Sequence, residues 1–219
     1  FHLDHLGFLQ NIPVGSTVRL PSENLFRLME KWYRFAVSWL KYVPPRYGVS
    51  VEEVSPLKSD ENGVLPIPVE HSAYPSYAYL YFGSDESILY TGDFRVTSIV
   101  GDENKRELYN STLIEYLEEN PDIKIDHLII EGTNFGRVTT PLTGKSAKAI
   151  LSNLIKPEEA VFIAIHPLEF SLAILTIHEL HKQNKDIVVV SNRLIEVLEF
   201  WSKVILKMRK ELKPISVLA

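Results

Sequence analysis

Residues 1–5 read Phe-His-Leu-Asp-His, with Gly7 two positions further on. Two imidazoles and a carboxylate in so short a run make a compact ligand set for hard or borderline cations such as Zn²⁺, Mn²⁺ or Fe²⁺. Two more candidates stand beside apolar runs. His71, in His-Ser-Ala-Tyr-Pro-Ser-Tyr, follows the run 64–69, and Asp93, in Tyr-Thr-Gly-Asp-Phe-Arg, follows the run 88–90. Gly92 permits a tight turn directly ahead of Asp93. The chain has no cysteine, so any metal must be held by His, Asp and Glu. The chemistry open to such a set is metal-assisted hydrolysis, with the ion as Lewis acid and activator of water.

These residues need elements to bring them together. His2, Asp4 and His5 are too close to share one helix face and too polar for a core strand, so a loop after a strand is the expected setting. Strands are expected at 18–20, 47–54 and 65–70, the last an edge or irregular strand because it carries two prolines. A helix is expected over 22–43, stopped by Pro44-Pro45. Residues 77–82 and 87–90 alternate around Gly-Ser-Asp-Glu and predict a hairpin. A helix at 105–119 precedes a short apolar run at 127–131, which reads as a buried strand delivering Glu131 to its C-terminal edge. After Thr143 the pattern becomes helix 144–155, strand 160–165, helix 169–184, strand 187–190 and helix 193–212. Alternating helices and continuous apolar strands predict a parallel α/β layer. Two units follow, 1–142 and 143–219.

The bulk composition bounds the function classes. A chain of 219 residues, 45% hydrophobic, holds one large or two modest cores. No uncharged apolar stretch is long enough for a membrane span. The lack of cysteine fits a cytoplasmic protein. The net charge of −5 does not advertise nucleic acid binding, although a local basic groove matters more than the total. Lys203, Lys207, Arg209, Lys210 and Lys213 make the last helix basic, which a solvated face near a helix C-terminus explains.

In order and spacing the motifs resemble the metallo-β-lactamase fold. That family's second motif is His-x-His-x-Asp-His, and Phe1-His2-Leu3-Asp4-His5 matches its last five positions. Its third motif, a His ahead of a Ser-containing turn, matches His71, and its fourth, an Asp after a strand, matches Asp93. Leu128-Ile-Ile-Glu-Gly-Thr-Asn-Phe-Gly136 resembles the first motif of the β-CASP branch, with Glu131 as the acidic position. The α/β unit that follows, with Ile163-Ala-Ile-His-Pro, is similar to the β-CASP insertion. The resemblance implies an α/β protein: an α+β sandwich of metallo-β-lactamase type (αββα) over 1–142, then the start of a parallel α/β β-CASP unit over 143–219.

The same resemblance implies a function. It implies a nuclease hydrolysing phosphodiester bonds of single-stranded RNA, with two divalent ions, expected to be zinc. His2, His71 and Asp93 hold one ion and Asp4 and His5 the other, with Asp93 bridging. Asp4 also orients the nucleophile, and Glu131 holds a ligand histidine by a hydrogen bond. The branch often dimerises, so a homodimer is an expectation. The family's first motif is absent, the first His of the second motif would precede Phe1, and no His follows His181. The chain is therefore expected to sample a longer one. Two rival readings stand beside the nuclease: a hydrolase of a small ester, thioester or lactone, and a degenerate subunit that binds RNA or a partner.

Several residues have plainer explanations. Asp93 alone is a turn former. Glu131 alone is a cap or salt-bridge carboxylate. His166, ahead of Pro167, either faces a substrate cleft or is a satisfied structural histidine. His178 and His181 fit an exposed helix face. Residues 139–146 end like a phosphate-binding loop, but Thr139 replaces the required glycine and Pro141 stiffens the middle, so helix initiation from Thr143 explains them. Tyr74, Tyr77, Tyr79 and Tyr81 suit strand packing before base stacking.

Overall fold

The computed structural model describes residues 1–34, 44–96, 113–132, 135–136, 138, 144–156, 160–204 and 216–217. It is a mixed α/β protein. A one-turn helix α1 (Leu3–Leu6) and a 3₁₀ turn (Leu9–Asn11) lead into β1 (Thr17–Leu20) and α2 (Glu23–Tyr33). Ser22 caps α2 by accepting the Leu25 N–H at 3.3 Å, and Glu53 accepts the Glu23 N–H at 2.9 Å. Leu25, Phe26, Met29 and Trp32 recur at helical spacing and form its buried face. Burying Phe26 alone contributes roughly 1.5–3 kcal/mol. The rest of the expected helix, 35–43, lies outside the described residues.

The sheet that matters for the site has four strands in the order β3 (Val64–Pro68), β4 (Tyr77–Phe82), β5 (Ser87–Tyr90) and β6 (His127–Ile129). The expected hairpin is present: β4 and β5 pair antiparallel, with Tyr79 opposite Tyr90. The proline-bearing β3 takes one end of the sheet, where a missing N–H costs no ladder bond. β1 pairs parallel with β2 (Ser50–Glu53) in a separate ribbon. α3 (Leu113–Glu119) packs its Leu113 against Leu65, Ile67, Leu80 and Leu89 of the sheet.

The later part of the chain holds α4 (Gly144–Leu154), α5 (Phe170–Lys182), β7 (Val188–Val189) and α6 (Asn192–Val204), with β7 paired parallel to β8 (Ser216–Val217). Two expectations fail here. Residues 160–165 form no strand among the described residues, and Phe162 is fully exposed. The run 127–131, expected to be a buried strand, is exposed throughout β6. Apolar content made both stretches look like core strands. Burial depends on what pairs with or covers a segment, which the local pattern does not encode. The basic residues 207–213 and Thr143 lie outside the described residues.

The main core does not respect position 142. Leu25, Met29 and Trp32 of α2 pack with Phe170, Ala173, Ile174 and Ile177 of α5 and with Val197 and Trp201 of α6. Tyr74 stacks on Phe170 at 4.7 Å, Trp201 meets Phe170 edge-on at 4.7 Å, and the Trp201 indole N–H donates to the Tyr74 carbonyl at 3.0 Å. Phe1 and Leu6 border two clusters at once, this one and that of Leu9, Leu20 and Phe26. The short α1 between them is thereby anchored by packing rather than by its own hydrogen bonds. No described helix is long and apolar enough to cross a membrane.

Glu196 ties α6 to α2. It accepts the Trp32 indole N–H at 2.7 Å and pairs with Lys31. The Lys31 and Trp32 hydrogen bonds hold its carboxyl below the ordinary value of 4.5. A depressed carboxylate stabilises the fold above its unfolded pKa, and that contribution is lost as pH falls through the folded one. Glu196→Gln is expected to lower stability at pH 7 by about 0.5–1.5 kcal/mol. The loss should shrink below about pH 4, as thermal melts of both proteins across pH will read.

Candidate metal centre

His2 is the N-cap of α1, with extended backbone (φ −81°, ψ 155°), and its carbonyl accepts the His5 N–H at 3.1 Å. The expected loop is thus a helical turn. Starting the turn just after His2 puts His2 and His5, three apart, on one side. The side chain of Asp4 lies outside the described residues.

His71 and Asp93 reach the same place from the sheet. β3 continues to Glu70, and Arg95 returns from β5. The two form an antiparallel bridge, with the Arg95 N–H donating to the Glu70 carbonyl at 2.7 Å. His71 follows one end of that bridge and Asp93 precedes the other by two residues. Gly92 turns the chain with φ +56°, a conformation that costs an L-residue about 1 kcal/mol or more. The Thr91 N–H donates to the Ile129 carbonyl at 3.0 Å, so β6 helps hold the turn.

His2, His71 and Asp93 come together: one ligand atom from each lies within 4.8 Å of the others. His2 Nδ1 is 3.3 Å from His71 Nε2, and His71 Nε2 is 3.7 Å from an Asp93 oxygen. Tetrahedral zinc with bonds of ~2.0–2.1 Å needs ligand atoms roughly 3.3–3.4 Å apart, so the spacing fits such an ion. Ser72, buried beneath the cluster, places its hydroxyl 3.3 Å from His2 Nε2 and 3.2 Å from His71 Nε2. Its oxygen can accept from the His2 Nε2–H, whereas donating to His71 Nε2 would occupy the lone pair that an ion needs. By accepting from His2 Nε2 it would leave Nδ1 free to coordinate.

Electrostatics favour the coordinating form. Burial lowers the His71 pKa from its ordinary 6.5 and Arg95 adds to the effect, while the Asp93 carboxylate opposes it. A neutral imidazole is the form that binds metal. His5 also reaches Asp93, with Nε2 3.0 Å from the same carboxylate oxygen that faces His71. A cleft of about 280 Å³ opens beside these residues, walled by Phe1, Leu9, Arg19, Tyr77, Tyr79 and Tyr90. Burial pushes the Tyr77 hydroxyl up to about 12 and raises that of Tyr79 as well, so both remain protonated donors at neutral pH.

Glu131 plays a different part from the one expected. Its carboxylate accepts the backbone N–H of Phe94 at 3.1 Å, rather than a ligand histidine's ring N–H. It therefore fixes the residue after Asp93 and acts on the carboxylate ligand through the main chain. It stands two residues beyond Ile129, the last residue of the exposed strand β6. His127 lies away from the centre, bonded to Glu86 at 2.8 Å. His166 does approach: its ring centroid is 6.1 Å from that of His2. In the sequence His166, ahead of Pro167, left two alternatives open, a residue facing a substrate cleft or a satisfied structural histidine. Sequence reasoning passed over Ser72, visible only as part of the turn after His71.

If Glu131 acts by accepting the Phe94 N–H, a neutral carbonyl can replace it. Glu131→Gln is expected to keep zinc affinity near the wild-type value, while Glu131→Ala weakens it about 10–100-fold. Isothermal titration with zinc separates the two.

No protein-family profile and no curated protein matches the chain. Among solved structures it is similar to a crystal structure of a protein of unknown function from Enterococcus faecalis V583, with 16% sequence identity and a TM-score of 0.59. The likeness covers 86% of this chain and 43% of that one. At that identity it shows a shared mixed α/β fold, and the chain spans less than half of that protein's length.

Proposed function

We propose that the protein is a metal-dependent hydrolase of the metallo-β-lactamase type, in its β-CASP branch, acting on phosphodiester bonds of single-stranded RNA. The observation that carries the reading is the convergence of His2, His71 and Asp93, from the N-cap of α1 and two sheet loops, at ligand spacing. The donor set of two imidazoles and a carboxylate suits zinc. A divalent ion held by these residues would supply Lewis acidity toward a phosphoryl oxygen and activate water for hydrolysis. His5, beside Asp93, is the described residue to hold a second ion, with Asp4 as its partner in the sequence motif.

The chain's own residues have definable work. Neutral His71 offers its Nε2 lone pair, and Ser72, accepting from His2 Nε2, leaves His2 Nδ1 to coordinate. Glu131 fixes the Asp93 loop through Phe94. Tyr77 and Tyr79 give the cleft aromatic walls with hydroxyl donors, suited to a nucleotide's base or sugar. The cleft's modest volume favours a second reading, hydrolysis of a small ester or thioester, because it lies near the lower end of ordinary ligand pockets.

The full chain, purified without chelator, should carry bound divalent metal by elemental analysis and cleave a labelled single-stranded RNA. Asp93→Ala is expected to lower both metal content and cleavage, the latter by about 100-fold or more. Metal without RNA cleavage, together with turnover of a thioester, supports the second reading. No metal in the wild-type protein contradicts both.

A further inference from the structure

His166 belongs to the later part of the chain, yet its position is tied to both loops of the metal centre. Just after it, the Glu169 N–H donates to the His166 carbonyl at 2.8 Å, closing a turn into α5. The first residue of α5, Phe170, donates its N–H to the Ser72 carbonyl at 2.8 Å, next to His71. The Glu169 carboxylate pairs with Arg95 at 3.4 Å, two residues beyond Asp93. A short, turned segment held at both loops leaves the His166 ring little freedom, and it lies edge-on to His2 with an interplanar angle of 65°.

The ring's hydrogen bonding fixes what it can offer. The Leu168 N–H donates to His166 Nδ1 at 3.2 Å. Nδ1 is therefore an acceptor, and the neutral ring carries its proton on Nε2. A ring protonated at Nε2 and occupied at Nδ1 is a donor, not a metal ligand. An ion held by three protein ligands would keep an open position for water or substrate, and an N–H within reach of that position would stabilise negative oxygen.

We propose that His166 is a substrate-binding residue, donating its Nε2–H to a phosphoryl oxygen of a group held at the His2–His71–Asp93 centre. The inference rests on the metal-centre reading above and adds its anion-binding donor, supplied by the second part of the chain. It assigns the residue to the substrate and not to the ion, so metal binding and anion binding should separate.

The test uses the full chain loaded with zinc, with inorganic phosphate as the probe. His166→Asn places an amide oxygen where Nδ1 accepts from Leu168 but lacks the distal donor, and His166→Gln reaches the distal position. Titration calorimetry should find zinc affinity unchanged in both variants. The phosphate Kd should rise about 10-fold or more in the Asn variant and less in the Gln variant, with thermal melts matching wild type. Unchanged phosphate binding in the Asn variant overturns the proposal and leaves the metal centre standing. A parallel fall in zinc affinity also overturns it, because His166 then acts on the ion. A wild-type chain that binds no zinc removes the centre and this proposal together.

Discussion

The antiparallel bridge between Glu70 and Arg95 is the contact on which the rest of the centre depends. One hydrogen bond, from the Arg95 N–H to the Glu70 carbonyl, closes the sheet just beyond β3 and β5. It sets the distance between the loop that carries His71 and the loop that carries Asp93. Glu70 itself is buried and shares a hydrogen bond with Ser171, so the bridge sits in protein rather than in water. A hydrogen bond in such a place is costly to leave unmade, which makes the bridge a firm hinge pin for two ligands.

Around that pin the molecule adds supports from every direction. Glu131 holds the Asp93 loop from below through Phe94, and Ile129 holds Thr91. Packing of Phe1 and Leu6 into two clusters brings His2 to the pair. From the far side, α5 attaches to Ser72 and, through Glu169, to Arg95. The parts of the chain before and after position 142 therefore meet at the centre and share the core formed by α2, α5 and α6. Substrate contacts from the later part, such as that assigned to His166, follow from this arrangement.

Much of this was legible in the sequence, for a physical reason. Strand ends flanked by turn residues put side chains at sheet edges, so His71 after its apolar run and Asp93 after Gly92 were found from local pattern. The hairpin joining β4 and β5 was legible from alternation around a short polar turn. What failed were features decided by distant partners. Glu131 was recognised as important, but its partner, the Phe94 N–H, is set by the parallel pairing of β6 with β5. The apolar runs at 127–131 and 160–165 looked like core strands, but β6 and Phe162 are exposed and 160–165 form no strand among the described residues. For His166 the sequence left a cleft-facing role and a structural one both open, because its nearness to His2 depends on the attachment of α5 to Ser72. The side chain of Asp4, central to the motif, lies outside the described residues.

The central claim is that His2, His71 and Asp93 bind one divalent ion together. Cobalt(II) substitution tests it most directly, because the visible absorption of cobalt reports coordination geometry without needing a substrate. The chelator-treated full chain, titrated with cobalt, should develop an absorption band that is reversed by zinc. The band should be lost in both His71→Ala and Asp93→Ala. A wild-type chain that develops no band, or a band that persists in either variant, would contradict the account.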